Sequence, residues 1–301
     1  MAITAPTVWL DGALVPRERA TIPLMAHAPQ RGSLVFDVGS FHRGPRGVAL
    51  FRAREHVARF LRSAQLVGIE VAWTEAALVA AAAEVVSRCG RDEGLVRWSA
   101  VFDADEPDLV PRTSVARVCV AAQLLEDPPR SAPLRVAVFQ DARKIAPDAV
   151  PSQAKVAAQY LGPLLARRRA IAEGAEEVVL LDAEGNVAEA PTANVFAVVG
   201  GVLFTPPTRY VLAGITRDAV LELAREEGIE AREAPLSLEA LVSADEAFLT
   251  ATSLPLVAIS HVNGRPLRAA PGPLGARLAA RLASAQRGEH RAGAWLHLVL
   301  P

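Results

Sequence analysis

The spacing of hydrophobic residues in the first third of the chain predicts two helices. In REHVARFLRSAQLVG the apolar residues recur at the three- and four-residue spacing of one helix face, at Val57, Phe60, Leu61, Ala64 and Val67. Gly68 is suited to end this helix. A second helix is expected at about 74–89, where the alanine-rich run is interrupted by charged residues. That interruption favours a helix packed in a globular core over a membrane span.

Short runs rich in β-branched and aromatic residues predict strands around these helices. TVWLDGALV contains the turn dipeptide Asp11-Gly12 and is typical of a hairpin, and GVALFRA, GLVRWSAVF and SVARVCVAAQLL are typical of strands. The segment 126–133, EDPPRSAP, has three prolines and a charge cluster without periodicity. We therefore expect a linker there, between an N-terminal domain at 1–125 and a C-terminal domain at 134–301.

The second half of the chain also alternates strands with helices. LRVAVF is a predicted strand, and 154–173 is a predicted helix that Gly162-Pro163 should kink. Further strands are expected in EEVVLLDAEGNVAEAPTANVFAVVGGVLFTP, EAFLTATS and LVAIS. A helix should begin at Thr216, and a last helix should cover 273–286. The predicted fold class is α+β, with two domains and mostly antiparallel sheets.

Composition and charge exclude several classes of protein. The formal net charge of −1 gives no electrostatic reason to expect nucleic acid or an anionic membrane as a partner. No apolar stretch approaches the roughly 20 residues of a membrane span, and the first residues do not resemble a signal peptide. Cys89 and Cys119 lack the spacing of a disulfide framework, and the six histidines lack the spacing of metal ligands. We therefore expect no metal site and a reduced, cytoplasmic location.

Lysine is rare in this chain. Of the 32 lysine and arginine residues only two, Lys144 and Lys155, are lysines. A guanidinium stays protonated, whereas an amine can lose its proton and attack a carbonyl, so a retained lysine is a candidate nucleophile. Lys155, in PSQAKVAAQY, is that candidate, although a solvated charge in the first turn of a helix is the ordinary interpretation. Lys144 is interpreted as a surface residue.

Other polar residues could complete a site around such an amine. Glu189 follows a hairpin turn and is either an exposed turn carboxylate or a partner for a heterocyclic nitrogen. AGITRD provides a helix start that would favour an anion, or an ordinary N-cap. The threonines of FLTAT, Thr250 and Thr252, are either hydroxyl donors or members of a threonine ladder. Arg59 lies on the polar side of its helix, where most arginines are solvated.

The order of these segments resembles one family, the class IV (fold-type IV) pyridoxal-phosphate aminotransferases. The resemblance covers almost the whole chain and is carried by WLDG, REHVARFLRSAQLVGIE, PSQAKVAAQY, EEVVLLDAEGNVAEAPTANVF, VLFTPP, VLAGITRDAVLELAREEGIE, ADEAFLTAT and GAWLHLV. It implies a homodimer of two-domain α+β subunits. Each domain would have a mostly antiparallel sheet or barrel with flanking helices, and the cofactor would lie in the interdomain cleft.

The resemblance also implies a role for individual residues. Lys155 would carry pyridoxal 5'-phosphate (PLP) as a Schiff base and act as the general base once an amino donor displaces it. Glu189 would keep the pyridine nitrogen protonated and so strengthen the ring as an electron sink. Tyr160 would bond the phenolate oxygen, and Asn194 would support the site. The phosphate would be held by Arg59, the backbone N–H groups of Ile215 and Thr216, and the hydroxyl of Thr252.

Substrate recognition departs from the family pattern. Arg31 stands where branched-chain enzymes usually have tyrosine, Asp37 and Val38 replace a Glu-Gly pair, and Arg97 keeps only the arginine of a Tyr-Ile-Arg stretch. Either arginine could form a bidentate pair with a substrate carboxylate. The residues that would face the substrate are Arg31, Phe36, Val38, Arg97 and Ala251.

The leading interpretation is an aminotransferase that moves an amino group between a branched-chain amino acid and a 2-oxo acid by a ping-pong mechanism. The alternatives are a D-amino acid or (R)-amine transaminase, a lyase of the aminodeoxychorismate type, and a PLP-binding protein without activity. Both the choice between Arg31 and Arg97 and the stereochemistry of the donor stay open at this point.

Overall fold

The computed structural model describes residues 2–112, 115–125, 132–290 and 294–299. It consists of two compact units. Unit 1 comprises Met1–Pro128, Ala154–Ala158 and Ser284–Pro301, and unit 2 comprises Pro129–Gln153 and Gln159–Ala283. The expected C-terminal domain, 134–301, differs from unit 2 in two segments, since 154–158 and 284–301 belong to unit 1. Most of the predicted linker, 126–131, lies outside the described residues.

Strands and helices both contribute to the fold. The described residues form these strands: β1 Ala2–Leu10, β2 Ala13–Pro16, β3 Leu34–Gly44, β4 Gly47–Phe51, β5 Glu93–Val101, β6 Arg117–Leu125, β7 Leu134–Ala137, β8 Glu177–Val178, β9 Glu189–Ala190, β10 Ala193–Val199, β11 Val202–Thr205, β12 Ala231–Glu233, β13 Glu246–Thr250, β14 Val257–Val262, β15 Arg265–Pro266 and β16 Leu296–Leu298. The α-helices are α1 His27–Arg31, α2 Ala53–Leu66, α3 Glu75–Ser87, α4 Leu161–Ala172, α5 Ile215–Glu226, α6 Leu238–Val242 and α7 Pro273–Gln286.

Unit 1 contains a seven-stranded antiparallel sheet in the order β16-β4-β3-β5-β6-β1-β2. The predicted hairpin turn between β1 and β2 is confirmed, with φ 44° at Asp11 and 97° at Gly12. Two left-handed residues are what a two-residue turn of this kind requires. Helix α2 packs on β3, and α3 packs on β6.

The two helices predicted in the first third of the chain are confirmed. Helix α2 buries Val57 and Phe60 completely. The Thr74 hydroxyl caps α3 by accepting from the backbone N–H of Ala77 at 3.2 Å, a contact worth about 1 kcal/mol. The buried indole of Trp98 in β5 donates to the carbonyl of Leu78 at 3.0 Å, which fixes α3 on the sheet.

Unit 2 contains a nine-stranded mixed sheet. Its main path is β12-β11-β10-β13-β14-β7-β8, with β9 added to β10 and β15 added to β14. The pairs β11–β12, β14–β7 and β7–β8 are parallel, and the others are antiparallel. Val195, Leu249 and Ile259 are fully buried in the core of this unit. The predicted α+β fold with mostly antiparallel sheets is confirmed.

The segment around Lys155 differs from its prediction as part of a helix over 154–173. Val156 forms an antiparallel bridge with Val35 of β3, and the backbone N–H of Phe36 donates to the carbonyl of Lys155 at 3.1 Å. The helix prediction is therefore wrong for the first residues, because strand β3 satisfies their backbone groups. The same pairing explains why 154–158 belongs to unit 1.

Helix α4 begins only at Leu161, after a 3-10 helix at Ala157–Tyr160. Pro163 consequently lies in the first turn of α4, where a backbone N–H would have no acceptor inside the helix. The predicted kink at Gly162-Pro163 is therefore replaced by a helix start. Within the described part of the chain, no helix combines the length and the apolar character needed to cross a bilayer.

Candidate active site

Lys155 lies in unit 1 beside strand β3. Its backbone N–H donates to the hydroxyl of Ser63 at 3.0 Å, and its carbonyl accepts from Phe36 as described above. The Nζ atom is 4.8 Å from the centroid of the Phe36 ring, and the guanidinium carbon of Arg97 is 4.0 Å from the same centroid. The structure thus brings together three of the predicted site residues, because the amine of Lys155 and the guanidinium of Arg97 both lie by the ring of Phe36.

The two candidate carboxylate-binding arginines have different surroundings. Arg97 in β5 pairs in register with Val38 in β3, is half-buried, and donates from Nε to the hydroxyl of Ser99 at 3.3 Å. Arg31, at the end of α1, is exposed and donates to the carbonyl of the preceding residue at 3.2 Å and to that of Pro107 at 3.4 Å. Val38 and Arg97 are therefore neighbours in the sheet, whereas Arg31 is held by backbone carbonyls.

Arg59, predicted to hold a phosphate, forms an ion pair with the fully buried Asp37. Its Nε lies 2.7 Å from Oδ2 of Asp37 and its Nη2 lies 2.8 Å from Oδ1. Oδ1 also accepts from the backbone N–H of Val38 at 2.7 Å and contacts Nδ1 of His56 at 2.8 Å. Because an ionised carboxylate can only accept, His56 donates from Nδ1. Sequence reasoning treated Asp37 only as a replacement in a motif and missed this role in orienting Arg59.

Electrostatics make Asp37 the charged partner of this cluster. Burial raises the pKa of Asp37, but the charge of Arg59 and the hydrogen bonds from Arg59 and His56 outweigh it and hold that pKa well below 3.8. Burial lowers the pKa of His56 below 6.5, against the opposing effect of Asp37. At neutral pH the cluster therefore contains an anion, a guanidinium and a neutral imidazole.

Glu189 is the centre of a second cluster, in unit 2. It begins β9 and pairs in register with Asn194 in β10. Its Oε2 accepts from the side-chain amide of Asn194 and from the backbone N–H of Leu212, both at 3.1 Å. Its Oε1 pairs with the ammonium of Lys144. The carboxylate is therefore held at both oxygens.

The interpretation of Lys144 as a surface residue is wrong. Its side chain is 11% exposed, and that of Glu189 is 13% exposed. The backbone N–H of Lys144 donates to the carbonyl of Leu181 at 2.8 Å, which places the segment beside an interior stretch of unit 2. No hydrophobic periodicity around residue 144 signals this burial.

The start of α5 combines a glycine cap with buried polar groups. Gly214 is the N-cap and supplies no capping side chain, and Ile215 and the buried Thr216 are the first two helical residues. A Cβ atom at Gly214 would lie 2.0 Å from Oδ1 of Asn194, so only glycine lets the chain pass this side chain. Asn194 also donates to the carbonyl of Leu212 at 3.0 Å, which joins this helix start to the Glu189 cluster.

The remaining predicted residues of unit 2 lie at the end of β13, directly after it, or just before α4. Thr250 pairs in register with Asn194, is buried, and has a hydroxyl without a hydrogen-bond partner in the described part of the chain. Ala251 and Thr252 follow it and are half-buried. Tyr160 is half-buried at the end of the 3-10 helix. Asn194, the register partner of Thr250, donates to Glu189.

Comparison with known proteins gives a consistent result. The amino-transferase class IV family model matches residues 34–262. Over 271 residues the chain is 34% identical to the branched-chain-amino-acid aminotransferase of Salmonella typhimurium (strain LT2), covering 86% of each protein. Its structure is similar to that of the branched-chain aminotransferase from Thermoproteus uzoniensis with norvaline, with a TM-score of 0.92, 31% identity, and coverage of 99% of this chain and 100% of that one. The branched-chain amino acid aminotransferase from Thermobaculum terrenum in its PLP form is also similar, with a TM-score of 0.89, 26% identity, and coverage of 99% of each chain.

The α+β fold is that of a fold-type IV aminotransferase. The chain belongs to the class IV aminotransferases. It is a transaminase that uses PLP, as the sequence predicted.

The donor set of this chain fits PLP. Glu189 presents a carboxylate held by neutral amide donors on one oxygen, the chemistry needed beside a protonated ring nitrogen. Gly214 opens a 12-residue helix without a capping side chain, an arrangement that suits a phosphate. The unpaired, buried hydroxyl of Thr250 is, within the described part of the chain, a further polar group beside Asn194.

Proposed function

We propose that this protein transfers the amino group of branched-chain amino acids to a 2-oxo acid. The support is the 34% identity to a branched-chain-amino-acid aminotransferase over most of the chain. The observation that carries the mechanism is the position of Lys155, whose backbone is fixed by Ser63 and Phe36 while its amine lies by the Phe36 ring. Arginine could not replace this lysine, because a guanidinium does not lose its proton.

In the proposed reaction Lys155 has two tasks. Its Nζ would hold PLP covalently at rest, and once an amino donor has taken its place the free amine would remove the proton from the donor's Cα. When bound, PLP supplies a ring that withdraws the resulting electron pair. Because the first product leaves before the acceptor binds, the kinetics should be ping-pong.

Glu189 would place its negative charge at the pyridine nitrogen and hold the proton there. Asn194 and Leu212 orient its Oε2. The phosphate would be bound by Arg59, by the backbone of Ile215 and Thr216, and by the Thr252 hydroxyl. Asp37 would serve this group by fixing the direction of the Arg59 guanidinium. Tyr160 would donate to the cofactor's phenolate oxygen.

Arg97, rather than Arg31, is our proposal for the residue that binds a substrate carboxylate. Arg97 and Lys155 lie against the same Phe36 ring, so a carboxylate on Arg97 would be near the reacting amine. Arg31 is exposed and directed at backbone carbonyls. The ring of Phe36, with Val38 and Ala251, would contact the apolar part of the donor.

A half-reaction screen tests the proposed substrate class. The PLP-loaded protein is mixed with L- and D-valine, L- and D-leucine, and a set of (R)-amines, and loss of the Lys155-bound cofactor absorbance is followed. We expect the branched-chain L-amino acids to react fastest and Lys155→Ala to react with none. Faster reaction with D-amino acids or (R)-amines would instead favour the alternative transaminases, and no reaction with any donor would favour a binding protein.

The protein is also proposed to act as a cytoplasmic homodimer. Helix α4 exposes Leu161 and, three and four residues further along, Leu164 and Leu165, each at least half exposed in the single chain. The two cysteines of the described structure, Cys89 and Cys119, are both free, which suits a reducing compartment. Sedimentation should give a dimer that Leu164→Glu weakens. Leu66→Glu, at an exposed position of α2, is the control.

A further inference from the structure

We propose that Lys144 is a positioning residue that directs the charged carboxylate of Glu189 toward the ring nitrogen of PLP. The inference rests on the proposed function, since it concerns the same cofactor. It is based on the ion pair between Lys144 and Oε1 of Glu189, two side chains that are each nearly nine-tenths buried. The chain's second lysine then has a function distinct from that of Lys155.

The backbone holds this pair in place from both sides. Lys144 donates its N–H to the carbonyl of Leu181 at 2.8 Å. The neighbouring residue, Leu180, donates to the carbonyl of Glu189 at 2.9 Å and accepts from Ala188 at 2.8 Å. The two charged side chains therefore leave backbone segments that are hydrogen-bonded to consecutive residues, so their meeting does not depend on a flexible loop.

The two carboxylate oxygens of Glu189 have different kinds of donor among the three that are described. Oε2 accepts from two neutral amides, of Asn194 and Leu212, which fix its direction. Oε1 meets the ammonium of Lys144, which offsets the cost of burying a negative charge. Without that cation the carboxylate would be free to turn away from the ring nitrogen, where it would hold a ring proton less well.

The test uses PLP labelled with ¹⁵N at the ring nitrogen, because the ¹⁵N resonance differs between the protonated and neutral ring. Spectra are compared for the wild-type protein and for Lys144→Met, Lys144→Arg, Glu189→Gln and the double variant Lys144→Met/Glu189→Gln. Arg135→Met is the matched control: it also removes one positive charge from unit 2, from an arginine whose side chain is 59% exposed and pairs with Glu176. Circular dichroism verifies that each variant is folded.

We expect Lys144→Met to move the ¹⁵N resonance toward that of the neutral ring, as Glu189→Gln does. Lys144→Arg, which keeps the positive charge, should give a resonance close to that of the wild-type protein. The first half-reaction should slow about tenfold or more in Lys144→Met, and the double variant should lose little beyond Glu189→Gln, because the two residues act as one unit. If Lys144→Met instead shows the wild-type resonance while Glu189→Gln shifts it, the inference about Lys144 is wrong. Losses that multiply in the double variant, or an equal shift in Arg135→Met, would also overturn it.

The same data separate this inference from the proposed function. If the wild-type protein binds no PLP at Lys155, or if Glu189→Gln leaves the ring nitrogen unchanged, the proposed function fails at its own residues. If those two results are as expected, only the response of Lys144→Met decides the role of Lys144. Should Lys144→Met not fold, Lys144→Gln and the double variant, which leaves no unpaired buried charge, supply the comparison.

Discussion

Replacing Asp37 with asparagine should destabilise unit 1 strongly. Asp37 is fully buried and binds Arg59 through two hydrogen bonds of 2.7 and 2.8 Å, with further contacts to His56 and Val38. Asparagine has nearly the same shape but carries no charge, and its –NH₂ group is a donor where the carboxylate has an acceptor. The variant therefore changes electrostatics while leaving packing almost unaltered.

The expected loss in the free energy of unfolding depends on which contacts with Arg59 the asparagine keeps. Removing one partner of a buried ion pair costs about 3–5 kcal/mol, because the other charge is left without compensation. The side-chain oxygen of asparagine keeps one acceptor for Arg59, so the lower end of that range applies. We expect the free energy of unfolding of the PLP-free protein to fall by about 3 kcal/mol at neutral pH. PLP binding should weaken as well, because Arg59 would lose its fixed direction.

Urea unfolding of the PLP-free protein, followed by circular dichroism, measures this change. Asp92→Asn is the matched control: Asp92 pairs with Arg43 at 2.7 Å, but its side chain is 65% exposed, so the substitution should have no measurable effect. A loss below about 1 kcal/mol in Asp37→Asn would refute the reasoning, since a fully buried ion pair should not be that replaceable. An equal loss in Asp92→Asn would show that burial is not the cause.

Three other substitutions test separate parts of the molecule. Gly214→Ala should weaken PLP binding about tenfold or more, because the added Cβ would overlap Asn194. Gly162→Ala is the control, since a Cβ there meets open space, and it should bind PLP normally. Equal affinities of the two variants in a fluorescence titration would contradict this prediction. Arg97→Ala should raise the KM for 2-oxoglutarate about tenfold or more while Arg31→Ala changes it little, and the reverse result would assign the carboxylate to Arg31. Burial lowers the pKa of His42 to about 4, so below pH 6.5 the unfolded protein binds a proton that the folded protein excludes. The free energy of unfolding should therefore fall between pH 6.5 and 4, and a slope that is unchanged in His42→Gln would reject this contribution.

Periodicity predicted the elements that are amphipathic along their whole length. Helix α2 and the last helix, Pro273–Gln286, agree with their predictions because one face of each is apolar and the other polar. Strand β3 was not predicted, since Asp37 is buried within it and interrupts the apolar run. A buried ion pair depends on a partner on another element, Arg59, and local pattern carries no information about that partner.

In the candidate site, too, the sequence predicted what depends on local residue type and motif, but not what depends on contacts between distant parts of the chain. Lys155 and Glu189 could be singled out from the sequence because their residue types suit one chemistry and their motifs resemble one family. The pairing of the Lys155 backbone with β3 could not be predicted from the sequence, because β3 lies far away in the chain. Lys144 was misinterpreted for a related reason: its partner Glu189 lies 45 residues further along the chain, and nothing near residue 144 indicates burial.

The covalent attachment of PLP to Lys155 is the central claim, and the chain's two lysines make it directly measurable. The PLP-loaded protein is reduced with borohydride, digested, and analysed by peptide mass spectrometry for the pyridoxyl group. We predict a single modified lysine, Lys155, in the peptide that contains PSQAKVAAQY, and no modification in the Lys155→Ala variant. Modification at Lys144, or PLP bound without any modified lysine, would contradict the account.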